Sequence, residues 1–231
     1  MKSILALLLS LSTALAAEQA DVIVVTANPA GVAAAVAAAK GGAKVIVLEE
    51  SGHVGGIVAG GLTNTDIRKH EAVGGLYNQF KQRIVDHYSS TYGADSKQVK
   101  VCKGGNMFEP HVAEKAFRDL LAAVKNITLL ERRRVVSARV IGADGVEKAA
   151  MPGVRIDGVA PEDFGSTAKL VSPTAEDLTK PGTTTEFRAE TFIDCTYEGS
   201  GAFRRMSSPT TDPPLTTSTS GRAAAFGANT R

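Results

Sequence analysis

Residues 21–50 read DVIVVTANPAGVAAAVAAAKGGAKVIVLEE, and the fold follows from how that stretch is parsed. Val22–Val25 is a short β-branched run of the kind found in strands buried on both faces. Thr26-Ala27-Asn28 reads as a turn, with Asn28 placed as an N-cap before Pro29 at the first helical position. Residues 30–40 are rich in alanine, a strong helix former whose small side chain lets a helix lie close to a sheet. Gly41-Gly42 ends that helix, and residues 44–48 form a second apolar strand. Strand, tight turn, helix and strand in one short span make a βαβ unit with a parallel sheet.

Such a unit is the dinucleotide-binding half of a Rossmann-like α/β domain when its turn carries glycines spaced GxGxxG. The six positions here are Thr26, Ala27, Asn28, Pro29, Ala30 and Gly31, so only the last glycine is present. That one serves close helix–strand packing. Asn28 tolerates left-handed dihedrals and is a mild substitute at the second position, whereas β-branched Thr26 is poorly suited where the turn needs positive φ. Glu49 ends the second strand 18 residues beyond Gly31, where a carboxylate accepts both hydroxyls of an adenosine ribose; Glu50 beside it is the other candidate. On this unit alone, an ordinary αβ turn with a solvated acid stands level with a cofactor site.

The next residues shift that balance. Residues 49–66, EESGHVGGIVAGGLTNTD, hold two glycine pairs, Gly55-Gly56 and Gly60-Gly61. With GGLYNQF at 74–80, FEPHVAEKAF at 108–117 and TFIDCTYEG at 191–199, the chain resembles the FAD-dependent oxidoreductases of the glutathione-reductase type. Within these it is most similar to exported bacterial members. The resemblance covers residues 20–199. It implies an FAD cofactor, with Gly55 and Gly56 beside the flavin and the backbone of Val135 holding the adenine. Glycine also suits that place physically, since it lets backbone approach a flat ligand. The resemblance further implies an enzyme acting on a small-molecule substrate with an electron acceptor that the sequence does not identify.

Residues 1–16 read as a secretory signal: Lys2, an apolar core at 4–15 and a small-x-small site at Ala14-Leu15-Ala16. The expected location is the periplasm or the medium, with no membrane attachment after cleavage. The mature chain is expected to start at Ala17 or within a residue or two, which an intact-mass measurement reads directly. A formal net charge of +2 favours neither nucleic acid nor a membrane surface as partner. Cys102 and Cys195 either pair in an oxidising compartment or remain isolated thiols. No metal-ligand spacing stands out among the histidines, cysteines and acids.

The remaining expectations concern organisation. One FAD-binding domain spans 17–199, with helices near 75–87 and 110–124 and a polar loop at 91–105. Strands follow at 127–130 and 135–141, the triple arginine 132–134 lying on a solvated strand edge. Asp144-Gly145 turns into a strand at 146–156, residues 157–185 form an insertion in a β-rich region, and 186–194 is one returning strand. Asp194, Glu198 and Gly199 fall near the cofactor end of that strand. Residues 200–231, rich in Ser, Thr, Pro and Gly, are expected to be a disordered tail. The family normally continues there with a helix and a substrate region, so the chain resembles the N-terminal part of a larger enzyme, truncated or altered in frame. No catalytic acid or base stands out; His53 beside the glycine pair is the most interesting, although a hydrogen-bonded loop histidine is the commoner case. A non-catalytic α/β remnant or binding module with weak flavin binding is the alternative, and an NAD-binding domain a weaker third.

Overall fold

The computed structural model describes residues 17–141, 145–150 and 169–197. The signal-peptide and tail expectations, residues 151–168 of the expected strand and insertion, and Asp144, Glu198 and Gly199 lie outside them. Strand β1 (Glu18–Gln19) precedes β2 (Val22–Val25), which enters α1 (Pro29–Lys40) and returns as β3 (Val45–Glu49). A single helical turn, α2 (Gly56–Ala59), leads to α3 (Leu76–Tyr92), α4 (Lys97–Val101) and α5 (Pro110–Ala122). Strands β4 (Ile127–Glu131), β5 (Arg133–Ile141), β6 (Glu147–Ala150), β7 (Lys169–Asp177), β8 (Thr184–Arg188) and β9 (Thr191–Asp194) complete the order. The domain is a Rossmann-type α/β fold with a central parallel sheet.

That sheet runs β4-β3-β2-β9, every pair parallel. Its strands alternate between two covered faces, which is why they read as unbroken apolar runs. Val22, Val24, Val45, Val47, Ile127 and Leu129 face the helices, packed with Val32, Val36, Phe117 and Leu120. Ile23, Ile46 and Leu48 point the other way and pack on Ala175 and Phe187 of a second sheet, ordered β1-β8-β7-β5-β6. Fully burying each such side chain stabilises the fold by roughly 1.5–3 kcal/mol.

The βαβ unit forms as its residues predict. Asn28 caps α1 by accepting the Gly31 N–H, Pro29 stands at the first helical position, and Gly41 closes the helix. One stripe, Gly31, Val32, Ala35, Val36 and Ala39, is buried against the sheet. A Cβ on Gly31 would lie 1.9 Å from the carbonyl oxygen of Thr26, so this crossing admits no side chain there. Thr26 itself sits at φ 77°, the left-handed conformation that its branched side chain tolerates least. Asn28, by contrast, is extended at φ −71°, ψ 176°, so it serves as a cap and not as a left-handed glycine substitute.

Thr26→Gly is expected to stabilise the domain. A non-glycine residue in a sparsely populated region costs on the order of 1–3 kcal/mol. Glycine's greater freedom in the unfolded chain returns roughly 0.5–1 kcal/mol of that. A net gain of about 1 kcal/mol, read as a rise in thermal midpoint, is the expected result; a lower midpoint would show that the Thr26 side chain contributes more than its strain costs.

Several local expectations are corrected. The polar stretch 91–105 is not a loop throughout: Ser96 caps the short helix α4 by accepting the Val99 N–H, and a 3-10 turn follows at Lys103–Gly105. Five residues are too few for an apolar period to show. Residues 169–177, expected in an insertion, form β7, the central partner of β5 and β8. The single strand expected at 186–194 is two. β8 pairs with β7 and β1, then the chain crosses at Ala189-Glu190 and β9 joins β2 in the parallel sheet. The triple arginine, exposed at Arg132 and Arg134 as expected, is not one strand segment. Arg132, at φ 56°, breaks β4 from β5, while Arg133 and Arg134 pair across to Asp177 and Glu176 of β7, each at 2.8 Å. No helix among the described residues is long and apolar enough to cross a membrane.

Candidate nucleotide site

The turn 26–31 emerges at the C-terminal ends of β2, β3 and β9, the end of a parallel sheet where ligands bind. Thr26 N–H bonds the Leu48 carbonyl at 2.7 Å, tying the turn to β3. Ala27 is buried, Pro29 half-buried and Ala30 exposed, so the first turn of α1 faces the open end. Asn28 is 4% exposed and bridges two elements: its Oδ1 accepts from Gly31 N–H at 2.9 Å, and its Nδ2 donates to the Cys195 carbonyl just after β9. The cap therefore consumes the Gly31 N–H that a phosphate would otherwise meet.

Glu49 is the most constrained polar group there. It is 6% exposed, and its carboxylate accepts from four donors of its own chain. Oε2 takes Ala27 N–H at 2.6 Å and faces Thr26 Oγ1 at 3.4 Å. Oε1 takes Ser51 N–H at 2.9 Å and Ser51 Oγ at 2.7 Å. Glu50 is exposed.

Gly55 (φ 107°) and Gly56 (φ 50°) bring the following loop back to the turn, where Gly55 N–H bonds the Ala27 carbonyl at 2.8 Å. A Cβ on Gly55 would strike the Phe117 ring, and one on Gly56 would meet Tyr197 and the Asn28 Cβ. Tyr197, 61% exposed, lies over this junction and accepts the Ile57 N–H at 3.1 Å. Val135 lies half-buried in β5 among Phe192 and the core beneath the parallel sheet. It pairs with Ala175, and the irregularity between Val135 and Ser137 opens the ladder at Val136.

His53 is a hydrogen-bonded loop histidine. Its Nδ1 lies 2.8 Å from Glu114 Oε2, while its Nε2 is buried without a partner among the described residues. Burial pushes the Glu114 carboxyl up, but the Arg118 guanidinium and the Val54 N–H outweigh that and hold it below the ordinary carboxylate range. Arg118 in turn grips Glu131 with two bonds, at 2.7 and 3.2 Å, and holds the Gly52 carbonyl at 3.0 Å. These contacts brace the 51–55 loop against α5 and β4. Only the i,i+4 spacing of Glu114 and Arg118 hints at them in the sequence.

Cys102 and Cys195 are unpaired. Cys102 is buried and donates to the Val99 carbonyl. Burial, with the charge of Asp194, pushes the Cys195 thiol up to about 11. A separate cleft of about 490 Å³, bordered by Tyr88, Lys97, Cys102 and Phe108, lies between α3 and α4 and shares no residue with the turn.

Comparison with known proteins defines the class. The chain belongs to the FAD-dependent oxidoreductases: it matches the family described as "FAD dependent oxidoreductase" over residues 21–204. Its cofactor is FAD. It is 31% identical over 169 residues to digeranylgeranylglycerophospholipid reductase 2 of Methanopyrus kandleri, covering 65% of this chain and 40% of that protein. The chain thus spans about two-fifths of that curated relative's length. Among solved structures, THI4 of Thermovibrio ammonificans is similar over 79% of this chain and 59% of its own, at 13% identity and TM-score 0.44. The myxobacterial chondrochloren halogenase CndH is similar over 78% of this chain and 37% of its own, at 12% identity and TM-score 0.44.

The residues present fit the nucleotide half of FAD. Gly31 permits the close strand–helix crossing, the first turn of α1 faces the open sheet end, and a buried carboxylate ends β3. The fit is imperfect at two points: Thr26 holds a strained conformation, and Glu49 is already occupied by the chain.

Proposed function

We propose that residues 21–197 are the FAD-holding part of an oxidoreductase acting on a small molecule. The turn 26–31 would lie along the pyrophosphate, Glu49 would accept the adenosine ribose, and Gly55-Gly56 would lie beside the flavin. Bound flavin supplies hydride and electron transfer, and the protein orients it and shields it from water. The observation that carries this proposal is the buried carboxylate of Glu49 at the end of β3, hydrogen-bonded to the Ala27 N–H of the turn itself. Strand end, turn and acid are thereby held as one unit, as binding of an adenosine diphosphate moiety requires. A non-catalytic domain that keeps this geometry is the second reading, favoured by the strain at Thr26 and by the occupied carboxylate.

Fluorescence titration of the purified full chain with FAD tests the proposal, with the visible spectrum reporting flavin carried through purification. Saturable binding that ADP competes away is the expected result. Reduction of the bound flavin by dithionite and reoxidation by an added acceptor would then separate the enzyme from the inert domain. A chain that binds neither FAD nor ADP would overturn the nucleotide-site assignment.

A further inference from the structure

Resting on that assignment, we infer that Ser51 is a hydroxyl latch on Glu49, which yields its place to a ribose hydroxyl and sets how strongly the site distinguishes ribose from deoxyribose. A carboxylate has about four acceptor positions, and Glu49 has four donors of its own chain facing them. The four are not equivalent. Ala27 N–H and Ser51 N–H belong to the backbone of the turn and the loop, and they cannot leave without moving both. Thr26 Oγ1 stands at 3.4 Å, too far for a strong bond. The Ser51 hydroxyl, at 2.7 Å, is the one strong donor free to rotate.

Ser51 also has somewhere to go. Its Oγ lies 3.1 Å from the His53 carbonyl oxygen, so the hydroxyl hydrogen can swing from Glu49 to that acceptor without being left unbonded. The His53 N–H, which donates to Ser51 Oγ at 3.0 Å, keeps that oxygen bonded as the side chain turns away from Glu49 toward the His53 carbonyl. Entry of a ribose hydroxyl therefore exchanges one donor to Glu49 for another. The charged bond is replaced in kind, and Ser51 keeps a neutral one.

Two consequences follow from the exchange. In the native chain a ribose hydroxyl gains little at Oε1, so ribose and deoxyribose nucleotides are distinguished weakly. With Ser51→Ala, the unliganded Glu49 lacks that donor and the ribose hydroxyl gains in full. A deoxy ligand lacking the hydroxyl in question gains nothing, because Ser51 bonds Glu49 both before and after it binds. Discrimination is thus a property of residue 51 acting through residue 49.

Titration of the full chain and of Ser51→Ala with FAD, ADP, 2′-deoxy-ADP and 3′-deoxy-ADP decides the matter. Ser51→Ala is expected to bind FAD and ADP about three- to tenfold tighter, with no gain for one of the two deoxy nucleotides. Native protein that binds neither FAD nor ADP defeats the nucleotide assignment itself. Native binding together with unchanged or weaker ADP binding by Ser51→Ala defeats the latch alone. An equal gain for ADP and both deoxy nucleotides does the same, since it would reflect a general change in the loop. If Ser51→Ala does not fold, as judged by its thermal melt, Ser51→Gly removes the same hydroxyl. The native chain also tests the latch unaided: a tenfold or larger preference for ADP over both deoxy nucleotides would overturn it.

Discussion

Gly31→Ala is expected to be the most damaging single-methyl change in the domain. The added Cβ would lie 1.9 Å from the Thr26 carbonyl oxygen, 3.1 Å from its carbon and 3.5 Å from a Val24 methyl. Relief is hard to find on either side. Thr26 is held through its N–H to Leu48, and the next peptide through Ala27 N–H to Glu49. Shifting α1 instead would lift the whole stripe of Val32, Ala35, Val36 and Ala39 from the sheet. Overpacking a close-packed contact costs typically 1–3 kcal/mol and more where backbone must move. Alanine's better helix propensity offsets roughly 1 kcal/mol. A net loss of about 2 kcal/mol, the upper end of that range less the offset, would lower the thermal midpoint by roughly 4–8 °C in a chain of this size. A variant melting within a degree or two of the parent would show that α1 can slide, and that the glycine is there for another reason.

Glu49→Ala is expected to weaken FAD and the fold together. The flavin effect comes from losing a charged acceptor to the ribose, roughly 1.5–3 kcal/mol, or ten- to a hundredfold or more in affinity. The stability effect arises because Glu49 is not the solvated acid that an ordinary αβ turn would carry. Its carboxylate is buried and serves the Ala27 N–H, which would be left without its acceptor at a fully buried residue. An unsatisfied buried donor costs about 1–3 kcal/mol. Glu49→Gln separates the two roles in part: the amide keeps one oxygen for Ala27 N–H but sets its NH2 against the Ser51 N–H, so it should recover part of the stability and little of the flavin affinity. Titration and thermal melts of both variants read this directly. Unchanged flavin affinity in a folded Glu49→Ala protein would move ribose binding to Glu50 or to no carboxylate.

The contrast between Gly31 and Glu49 shows where sequence was sufficient. The βαβ unit was legible because its determinants are local: a β-branched run, an N-cap three residues before its bonded N–H, a proline at the first helical position and glycines at the end. The packing role of Gly31 was legible for the same reason, since the carbonyl it approaches is five residues away. Thr26 was recognised as the misfit because positive φ is demanded by the turn itself, and the structure shows it at φ 77°. The motifs from 49 to 199 carried the family, which the match over 21–204 bears out.

What sequence could not show was who occupies each group. The donors to Glu49 come from residues 26, 27 and 51, and a carboxylate's partners depend on how two loops meet. Asn28 spans 167 positions to Cys195, and Tyr197 reaches 140 positions back to Ile57; no periodicity encodes either contact. Residues 184–194 carry one continuous β pattern but serve two sheets, because strand propensity is set by local sterics and sheet membership by the available partner edge. The arginines at 133 and 134 resembled a solvated run until β7 supplied Asp177 and Glu176 opposite them. Local sterics and capping chose the elements and placed the 26–31 turn at their end. The tertiary arrangement alone decided that the turn's acid is held by the chain's own N–H and hydroxyl donors, because those donors converge only once β2, β3 and the loop after β3 have packed together.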